Sequence, residues 1–182
     1  MTGKNRPTSY YFDSCVYLAY LRNEIVPYTK RKISAIGTIW NQSERGQCAI
    51  MTSAITITEV LSHKLTKEAE KKFNHAIQSI HQIEDVTPPI AERARKYRDY
   101  YQKAPVAIPG SSNQTLQRSG LSTPDALHLA TAVIFECDQF WTFDGLNATG
   151  KKKDIGLLWL GNKVGDDSLI ICQPETGELE LL

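Results

Sequence analysis

The chain has 182 residues, of which 41% are hydrophobic and 23% are charged, and this predicts a globular domain with a sizeable core. Lys and Arg number 21 against 20 Asp and Glu, so the net charge of +1 excludes a general attraction to polyanions. Any nucleic-acid binding must use a local basic surface. The sequence has no apolar run long enough for a membrane-spanning helix, and its polar N-terminus predicts no signal peptide.

The cysteines are widely spaced and form no Cys-x-x-Cys pair. They are Cys15, Cys48, Cys137 and Cys172. The histidines are scattered as well, which argues against a zinc site. This use of cysteine predicts a reducing, cytoplasmic compartment and no disulfide bonds.

The first half of the chain alternates short apolar runs with helical patterns. Residues 9–12 predict a strand, and residues 14–21 predict the helix that follows it. Residues 33–40 have helical spacing, and residues 47–53 predict a buried strand because they are largely apolar with polar ends. From Thr56, apolar residues recur on successive turns and predict one long helix.

The second half begins with a short predicted strand at residues 83–86, and Pro88 then starts a helix that runs to about Lys103. Residues 104–120 have loop composition and predict an insertion near the functional site. Thr123 as N-cap and Pro124 at the first helical position predict the next helix start.

The helix after Pro124 spans residues 125–136 and is apolar nearly all round, which predicts burial in the core. Residues 140–143 and 169–172 predict two final strands. Strands that alternate with helices predict an α/β fold, with a central parallel sheet of four to five strands and helices on both faces. We expect one domain over residues 1–182, with a C-terminal extension from about residue 154.

Four acidic residues stand where apolar strand-like runs end or a helix begins. They are Asp13, Glu59, Asp125 and Asp144, and we call them the acidic quartet. Carboxylates are costly to bury without a partner, and ligands bind at the carboxyl edge of such sheets. Mg²⁺ and Mn²⁺ prefer oxygen ligands and activate water for attack on phosphorus. The quartet therefore predicts a metal site for phosphate chemistry.

Taken singly, three of these residues have a structural interpretation. Asp125 is favoured at a helix N-terminus by the helix dipole alone. Glu59 fits an acid in the first turns of a helix, and Asp144 fits a turn with Gly145. All four together, in a chain with no other cofactor signal, favour the metal site.

The residues around the quartet resemble those of PIN-domain ribonucleases, in particular the VapC-like toxins of toxin–antitoxin pairs. The matching segments are YFDSCVYL around Asp13, ITITEVL around Glu59, PDALHLATA around Asp125 and WTFD ending at Asp144. The resemblance implies a PIN-like three-layer sandwich, cleavage of RNA that depends on Mg²⁺ or Mn²⁺, a homodimer and an antitoxin partner.

The resemblance also implies roles for individual residues. Asp13, Glu59 and Asp125 would be the core metal ligands, directly or through water, and Asp144 would be a fourth. Thr142 would orient a carboxylate or a ligand water, Ser14 would act similarly, and Asn147 would contribute to the site. The chain departs from a minimal toxin in the 104–120 segment, in its C-terminal tail, and in having Leu146-Asn147 where an aromatic residue is common.

His128 lies one turn beyond Asp125 on the same helix face. It contacts a phosphate or tunes the metal waters in one interpretation, and is satisfied inside the core in the other. The remaining histidines fall on a helix that looks solvated, and we expect no role for them: His63, His75 and His81.

A basic helix interleaved with tyrosines is a candidate RNA-facing surface, because aromatic rings stack on unpaired bases and cations contact phosphates. It carries Arg93, Arg95, Lys96, Arg98 and Lys103 with Tyr97, Tyr100 and Tyr101. The alternative is a solvated face whose tyrosines pack against a dimer mate. Lys151–Lys153 form a second basic group soon after Asp144.

The favoured function is a metal-dependent endoribonuclease acting on single-stranded RNA. The main alternative is a binding module of the same fold with slow or absent chemistry, because fold similarity alone never guarantees function. A phosphotransfer enzyme with Asp13 as nucleophile ranks last, because no second acid follows two residues later.

Overall fold

The computed structural model describes residues 6–24, 30–103, 106–107, 116–117, 120–145 and 155–175. The first half of the chain forms β1 (Ser9–Phe12), α1 (Ser14–Leu21), α2 (Lys30–Glu44), β2 (Ala49–Ser53), α3 (Ile55–Leu61), α4 (Lys67–Ser79), β3 (Gln82–Glu84) and α5 (Pro88–Lys103). The second half forms β4 (Val106–Ala107), β5 (Leu116–Gln117), α6 (Thr123–Ile134), β6 (Gln139–Trp141), a 3-10 helix (Leu157–Leu160), β7 (Lys163–Val164), β8 (Asp167–Ser168) and β9 (Ile170–Cys172).

The central sheet has five strands in the order β3-β2-β1-β6-β9, and every pair in it is parallel. β1 is the middle strand, with Tyr11 level with Met51 of β2 on one side and Phe140 of β6 on the other. The α/β fold class and the parallel sheet are thereby confirmed. Because parallel strands run in one direction, the residues after β1, β2 and β6 meet at one edge.

Both faces of the sheet are covered by helices, and the side chains of β1 alternate between two cores. Tyr11 stacks on Phe140 at a ring distance of 4.9 Å and joins the core against α5 and α6. Phe12 stacks on Trp141 at 5.4 Å and joins the core against α1, α2 and α4. Aromatic pairs at this spacing stabilise the fold beyond the burial of their surface, and both pairs join residues that lie opposite each other in the register of β1 and β6.

The long helix expected from Thr56 is wrong, because the structure has two helices, α3 and α4, separated by residues 62–66. Thr66 has an extended backbone, and its hydroxyl accepts the amide of Ala69 at 3.2 Å, so it caps a new helix. His81 follows α4 and is buried, contrary to the solvated position expected for it, whereas His63 and His75 are exposed.

Two predicted boundaries also move. The N-cap of α6 is Ser122 rather than Thr123, because the Ser122 hydroxyl accepts the backbone amide of Asp125 at 3.1 Å. Pro124 accordingly takes the second helical position. β6 ends at Trp141, and Thr142 and Phe143 lie beyond it but remain buried.

The C-terminal extension contributes to the sheet, since β9 pairs with β6 at its edge. The antiparallel pair β7–β8 packs on α5, where Asp167 accepts hydrogen bonds from Arg93 at 3.0 Å and from Tyr97 at 2.6 Å. Of the predicted insertion, β4 and β5 pair antiparallel, and most of the rest lies outside the described residues. None of the described helices combines the length and apolarity that a membrane span requires.

Candidate active site

Asp13 directly follows β1 and caps α1, and it is only 5% exposed. Its Oδ1 accepts the Ser14 amide at 2.7 Å and the Ser14 hydroxyl at 3.3 Å. Its Oδ2 accepts the Thr142 hydroxyl at 2.7 Å and the Cys15 thiol at 3.1 Å. Both carboxylate oxygens are therefore held by protein donors, which offsets the cost of burying an ionised group.

Thr142 and Asp144 follow β6, the neighbour of β1. The Thr142 hydroxyl is fully buried and also accepts the Asp144 amide at 3.0 Å. Asp144 in turn accepts the backbone amide of Leu157 through Oδ2 at 2.9 Å. The start of the 3-10 helix is thus attached to the fourth acid of the quartet.

Glu59 lies on α3 and reaches His128 on α6. Glu59 Oε2 is 2.7 Å from Nε2 of His128, and Asp13 Oδ1 is 3.9 Å from the same nitrogen. Burial raises the pKa of Glu59, but the hydrogen bonds from His128 and Ser14 and the charge of His128 outweigh it and lower the pKa overall. Burial lowers the pKa of His128, and Glu59, Asp13 and Asp125 reverse this and raise it.

Asp125 stands in the first turn of α6, where its Oδ2 accepts the Ser122 hydroxyl at 2.6 Å. Burial, together with the negative charges of Asp13 and Asp144, raises the pKa of Asp125 from 3.8 to about 6 despite this hydrogen bond. Burial is the larger cause, and the added effect of the Asp13 and Asp144 charges is that of like charges in one region, which disfavour ionisation.

The quartet is a chemically suitable set of ligands for a hard divalent cation, because all four groups are carboxylates and their crowding is relieved by positive charge. Within the part of the chain that the structure describes, no three His, Cys, Asp or Glu side chains are arranged to surround a metal ion directly. Mg²⁺ usually keeps several waters and takes one or two carboxylates, so this arrangement fits binding that is partly through water.

Two residues at the site were not singled out from the sequence. The Cys15 thiol contacts Asp13 and Thr142 and accepts the Phe143 amide at 3.2 Å. Burial, followed by the charge of Asp13, holds the pKa of Cys15 well above its usual value. Tyr11 bonds to His128 at 2.7 Å. Strand alternation places Tyr11 on the same face as Asp13, and this signal was available in the sequence.

The basic helix α5 presents fewer aromatic rings than its sequence suggests. Tyr97 and Tyr101 are buried, and Tyr100 is 42% exposed. Arg93 pairs with Asp167, Arg95 with Asp99 and Lys96 with Glu92. Asn147 and Lys151–Lys153 lie outside the described residues.

The profile of the PIN domain matches residues 10–145, which is most of the chain. The chain belongs to the PIN-domain family. Relatives in this family are nucleases. The resemblance suggested by the four acidic segments is confirmed.

Solved structures similar to this PIN domain include a toxin–antitoxin complex from Klebsiella pneumoniae, with 20% identity over 80% of this chain and 94% of that chain and a TM-score of 0.47. Another is Mycobacterium tuberculosis VapC20, a toxin that cleaves the sarcin-ricin loop, with 14% identity, 75% and 90% coverage and a TM-score of 0.48. A third is VapBC2 from Rickettsia felis bound to a promoter DNA fragment, with 12% identity, 74% and 87% coverage and a TM-score of 0.49. None of the curated proteins matches the chain.

Proposed function

We propose that this PIN-domain protein is an endoribonuclease that hydrolyses phosphodiester bonds with the help of Mg²⁺ or Mn²⁺. The observation that carries the proposal is the crowding of carboxylates from separate elements at one edge of the sheet. Nε2 of His128 lies 2.7 Å from Glu59 Oε2 and 3.9 Å from Asp13 Oδ1, and burial, with the charges of Asp13 and Asp144, raises the pKa of Asp125 to about 6. Such crowding is unfavourable without a cation and characteristic of sites that bind one.

The residues of the quartet would hold the metal, directly or through water. When bound, the metal supplies an activated water and stabilises the charge that develops at phosphorus. Asp13 is held in place by Thr142 and Ser14. Burial and the neighbouring charges raise the pKa of Asp125 to about 6, and a bound cation would favour its ionised form by neutralising those charges.

We also propose that the chain is a single PIN-like domain and acts as the toxin of a toxin–antitoxin pair. Its substrate would be single-stranded RNA, and it would act as a homodimer in the cytoplasm. The pairing of β9 with β6 supports a single domain, and four free thiols accord with a reducing compartment. The antitoxin would cover the acidic edge of the sheet. Light scattering of the purified protein measures its oligomeric state directly.

A binding module with little chemistry is the second candidate. The observation that favours it is the engagement of both Asp13 oxygens by protein donors, with Glu59 held by His128. In this case the quartet would be a remnant that shapes the surface rather than a site for a cation.

Cleavage of a mixed pool of single-stranded RNA, with Mg²⁺, with Mn²⁺ and with EDTA, distinguishes the two candidates. Asp13→Asn tests the site. Asp138→Asn is the matched control, because Asp138 also accepts a backbone amide, that of Ser9 at 2.8 Å, but precedes β6 and so lies at the opposite edge of the sheet. We expect cleavage that needs the metal, is lost in Asp13→Asn and persists in Asp138→Asn. Folded, partner-free protein that cleaves under no condition would favour the binding module.

A further inference from the structure

The imidazole of His128 connects the buried core to the partly exposed carboxylate of Glu59. Its Nε2 lies 2.7 Å from Glu59 Oε2, and its Nδ1 lies 2.7 Å from the Tyr11 hydroxyl. The His128 side chain is 1% exposed and that of Glu59 is 31% exposed, while Tyr11 is fully buried. Two hydrogen bonds in series therefore lead from the middle strand of the sheet to the second acid of the quartet.

We propose that His128 is a positioning residue that holds the Glu59 carboxylate in the orientation needed for metal binding, and that Tyr11 holds His128. This inference rests on the proposed function and deepens it. It assigns the orientation of Glu59 to two residues that are not themselves carboxylates.

The hydrogen bond from His128 to Glu59 has one direction whatever the charge of the imidazole, whereas the bond between His128 and Tyr11 reverses with that charge. An ionised carboxylate only accepts, so Nε2 of His128 must carry a hydrogen and donate it to Glu59. If the ring is neutral, Nδ1 accepts the Tyr11 hydroxyl, and if the ring is protonated, Nδ1 donates to the Tyr11 oxygen. Because a hydroxyl can do both, Tyr11 supports His128 in either state.

The same geometry argues that His128 is not a metal ligand. A ring nitrogen that carries a hydrogen has no free electron pair for a metal, and Nε2 is committed to Glu59. The other nitrogen, Nδ1, is committed to Tyr11 inside the core. The ring therefore acts on the metal through Glu59, as residues that orient metal ligands usually do.

The hydrogen bond from His128 restricts the Glu59 carboxylate to fewer orientations, which favours metal binding. Glutamate has a long side chain, and fixing it on metal binding carries an entropy cost that is smaller if the carboxylate is already held. Asp13 is held by Ser14 and Cys15, which follow it in sequence, and by Thr142. Glu59 receives hydrogen bonds from Ser14 and from His128, and the bond from His128 is the one that spans from α3 to α6.

An opposite role is possible for the same contact, since His128 can compete with the metal for Glu59. The two roles predict opposite changes in metal affinity when His128 is replaced. A positioning contact strengthens metal binding, whereas a competing contact weakens it. Measurement of Mn²⁺ affinity distinguishes them without any reference to nuclease activity.

The test is the dissociation constant of Mn²⁺, measured by titration with electron paramagnetic resonance at one pH, for the full-length protein and its variants. We expect His128→Leu to weaken Mn²⁺ binding by about 10–100-fold, the range usual for residues that orient metal ligands. His128→Gln retains an N–H donor and should recover most of the affinity. Tyr11→Phe removes one hydroxyl and should weaken binding by about fivefold.

Tyr17→Phe is the matched control for Tyr11→Phe. The Tyr17 hydroxyl lies 2.9 Å from Nδ1 of His81, and both residues are buried on the other face of the sheet. This variant deletes the same kind of tyrosine–histidine hydrogen bond away from the site. We expect it to leave Mn²⁺ affinity unchanged.

Wild-type affinity in a folded His128→Leu protein, or tighter binding, overturns the inference. Equal weakening by Tyr17→Phe and Tyr11→Phe overturns the role of Tyr11. Tyr11→Phe and His128→Gln keep the test decisive if His128→Leu does not fold. Asp13→Asn separates this inference from the proposed function. Equal Mn²⁺ binding by wild type and Asp13→Asn would contradict a metal site at the quartet, and the positioning role would fall with it.

Discussion

The Thr142 hydroxyl donates a hydrogen bond to Asp13 Oδ2 at 2.7 Å, which connects the end of β6 to the end of β1. The same hydroxyl oxygen accepts the backbone amide of Asp144 at 3.0 Å. One buried side chain thus sets the spacing between the first and fourth acids of the quartet. The strand order makes this possible, because β1 and β6 are neighbours in the sheet.

Replacing Thr142 with Val keeps the shape of the side chain and removes both hydrogen bonds. We expect kcat/KM on RNA to fall about 10–100-fold, because Asp13 and Asp144 lose their common support. We expect the free energy of unfolding to fall by about 1–3 kcal/mol, since a buried carboxylate loses a donor. Enzyme kinetics and urea unfolding measure the two effects.

Thr142→Ser should retain most of the activity because it keeps the hydroxyl. Thr131→Val is the control for a buried threonine away from the quartet, since the Thr131 hydroxyl donates to the Leu127 carbonyl within α6 at 2.8 Å. Wild-type kcat/KM in Thr142→Val would contradict a supporting role for Thr142.

Asp125→Asn should stabilise the metal-free protein while abolishing cleavage. The pKa of Asp125 is raised from 3.8 to about 6 in the folded protein, so ionisation disfavours the folded state. This destabilisation is absent below about pH 3.8, grows as pH rises and is complete above about pH 6. Asn does not ionise, so we expect a gain of about 3 kcal/mol at about pH 8.

Urea unfolding in EDTA at about pH 8 and about pH 4 measures this gain, which should nearly vanish at the lower pH. Added Mg²⁺ should narrow the difference at about pH 8, because a cation that binds only the folded wild type stabilises it. Equal stability of the two proteins in EDTA at the higher pH would contradict the raised pKa of Asp125.

Gly145→Ala should destabilise the protein and displace Asp144. Gly145 has φ +93, and a Cβ there would lie 2.9 Å from Nε1 of Trp159 and 3.1 Å from Cα of Gly156. The control is Gly46→Ala, where φ is +67 but no atom lies within 4 Å of the added Cβ. Both variants carry the strain of a positive φ, and only Gly145→Ala adds a clash.

We therefore expect Gly145→Ala to lower the free energy of unfolding by about 1–3 kcal/mol more than Gly46→Ala does. Cleavage should fall in Gly145→Ala alone, because the contact between Leu157 and Asp144 lies beside the clash. Thermal unfolding and RNA cleavage are the measurements. Similar losses of stability and cleavage in both variants would show that the clash at Gly145 does not cause them.

His81 should make the fold sensitive to acid. Burial lowers the pKa of His81 from 6.5 to about 3, and Tyr17 and Trp40 surround the ring. The unfolded chain binds a proton at a higher pH than the folded protein does. The stability that the neutral His81 imidazole contributes is therefore fully present above about pH 6.5, and it is lost as pH falls from there towards about pH 3.

His81→Gln should flatten this dependence, because glutamine does not bind a proton. Between about pH 6 and pH 4 we expect wild type to lose up to about 1.4 kcal/mol per pH unit more than the variant. His75→Gln is the control, since His75 is exposed on α4. The decisive measurement is the free energy of unfolding across this range, and parallel curves for wild type and His81→Gln would count against a buried neutral imidazole.

Local sequence patterns were sufficient for elements whose ends are marked by particular residues, such as Asp13 before α1 and Pro88 at the start of α5. β1 and the helix α1 after it have the predicted bounds, and α5 starts at Pro88 as expected. The break between α3 and α4 was missed, because apolar positions continue across it and the Thr66 cap depends on one hydrogen bond. Burial of His81, Tyr97 and Tyr101 was missed as well, because it depends on which elements pack against them.

The sequence by itself determined that strands alternate with helices and that carboxylates end up at one edge of a parallel sheet. Only the tertiary structure decided which groups hold those carboxylates. Thr142 reaches Asp13 across 129 residues of chain, and His128 reaches Glu59 across 69. Contacts this distant in sequence depend on strand order and helix packing, and hydrogen bonds are satisfied only at separations of about 3 Å.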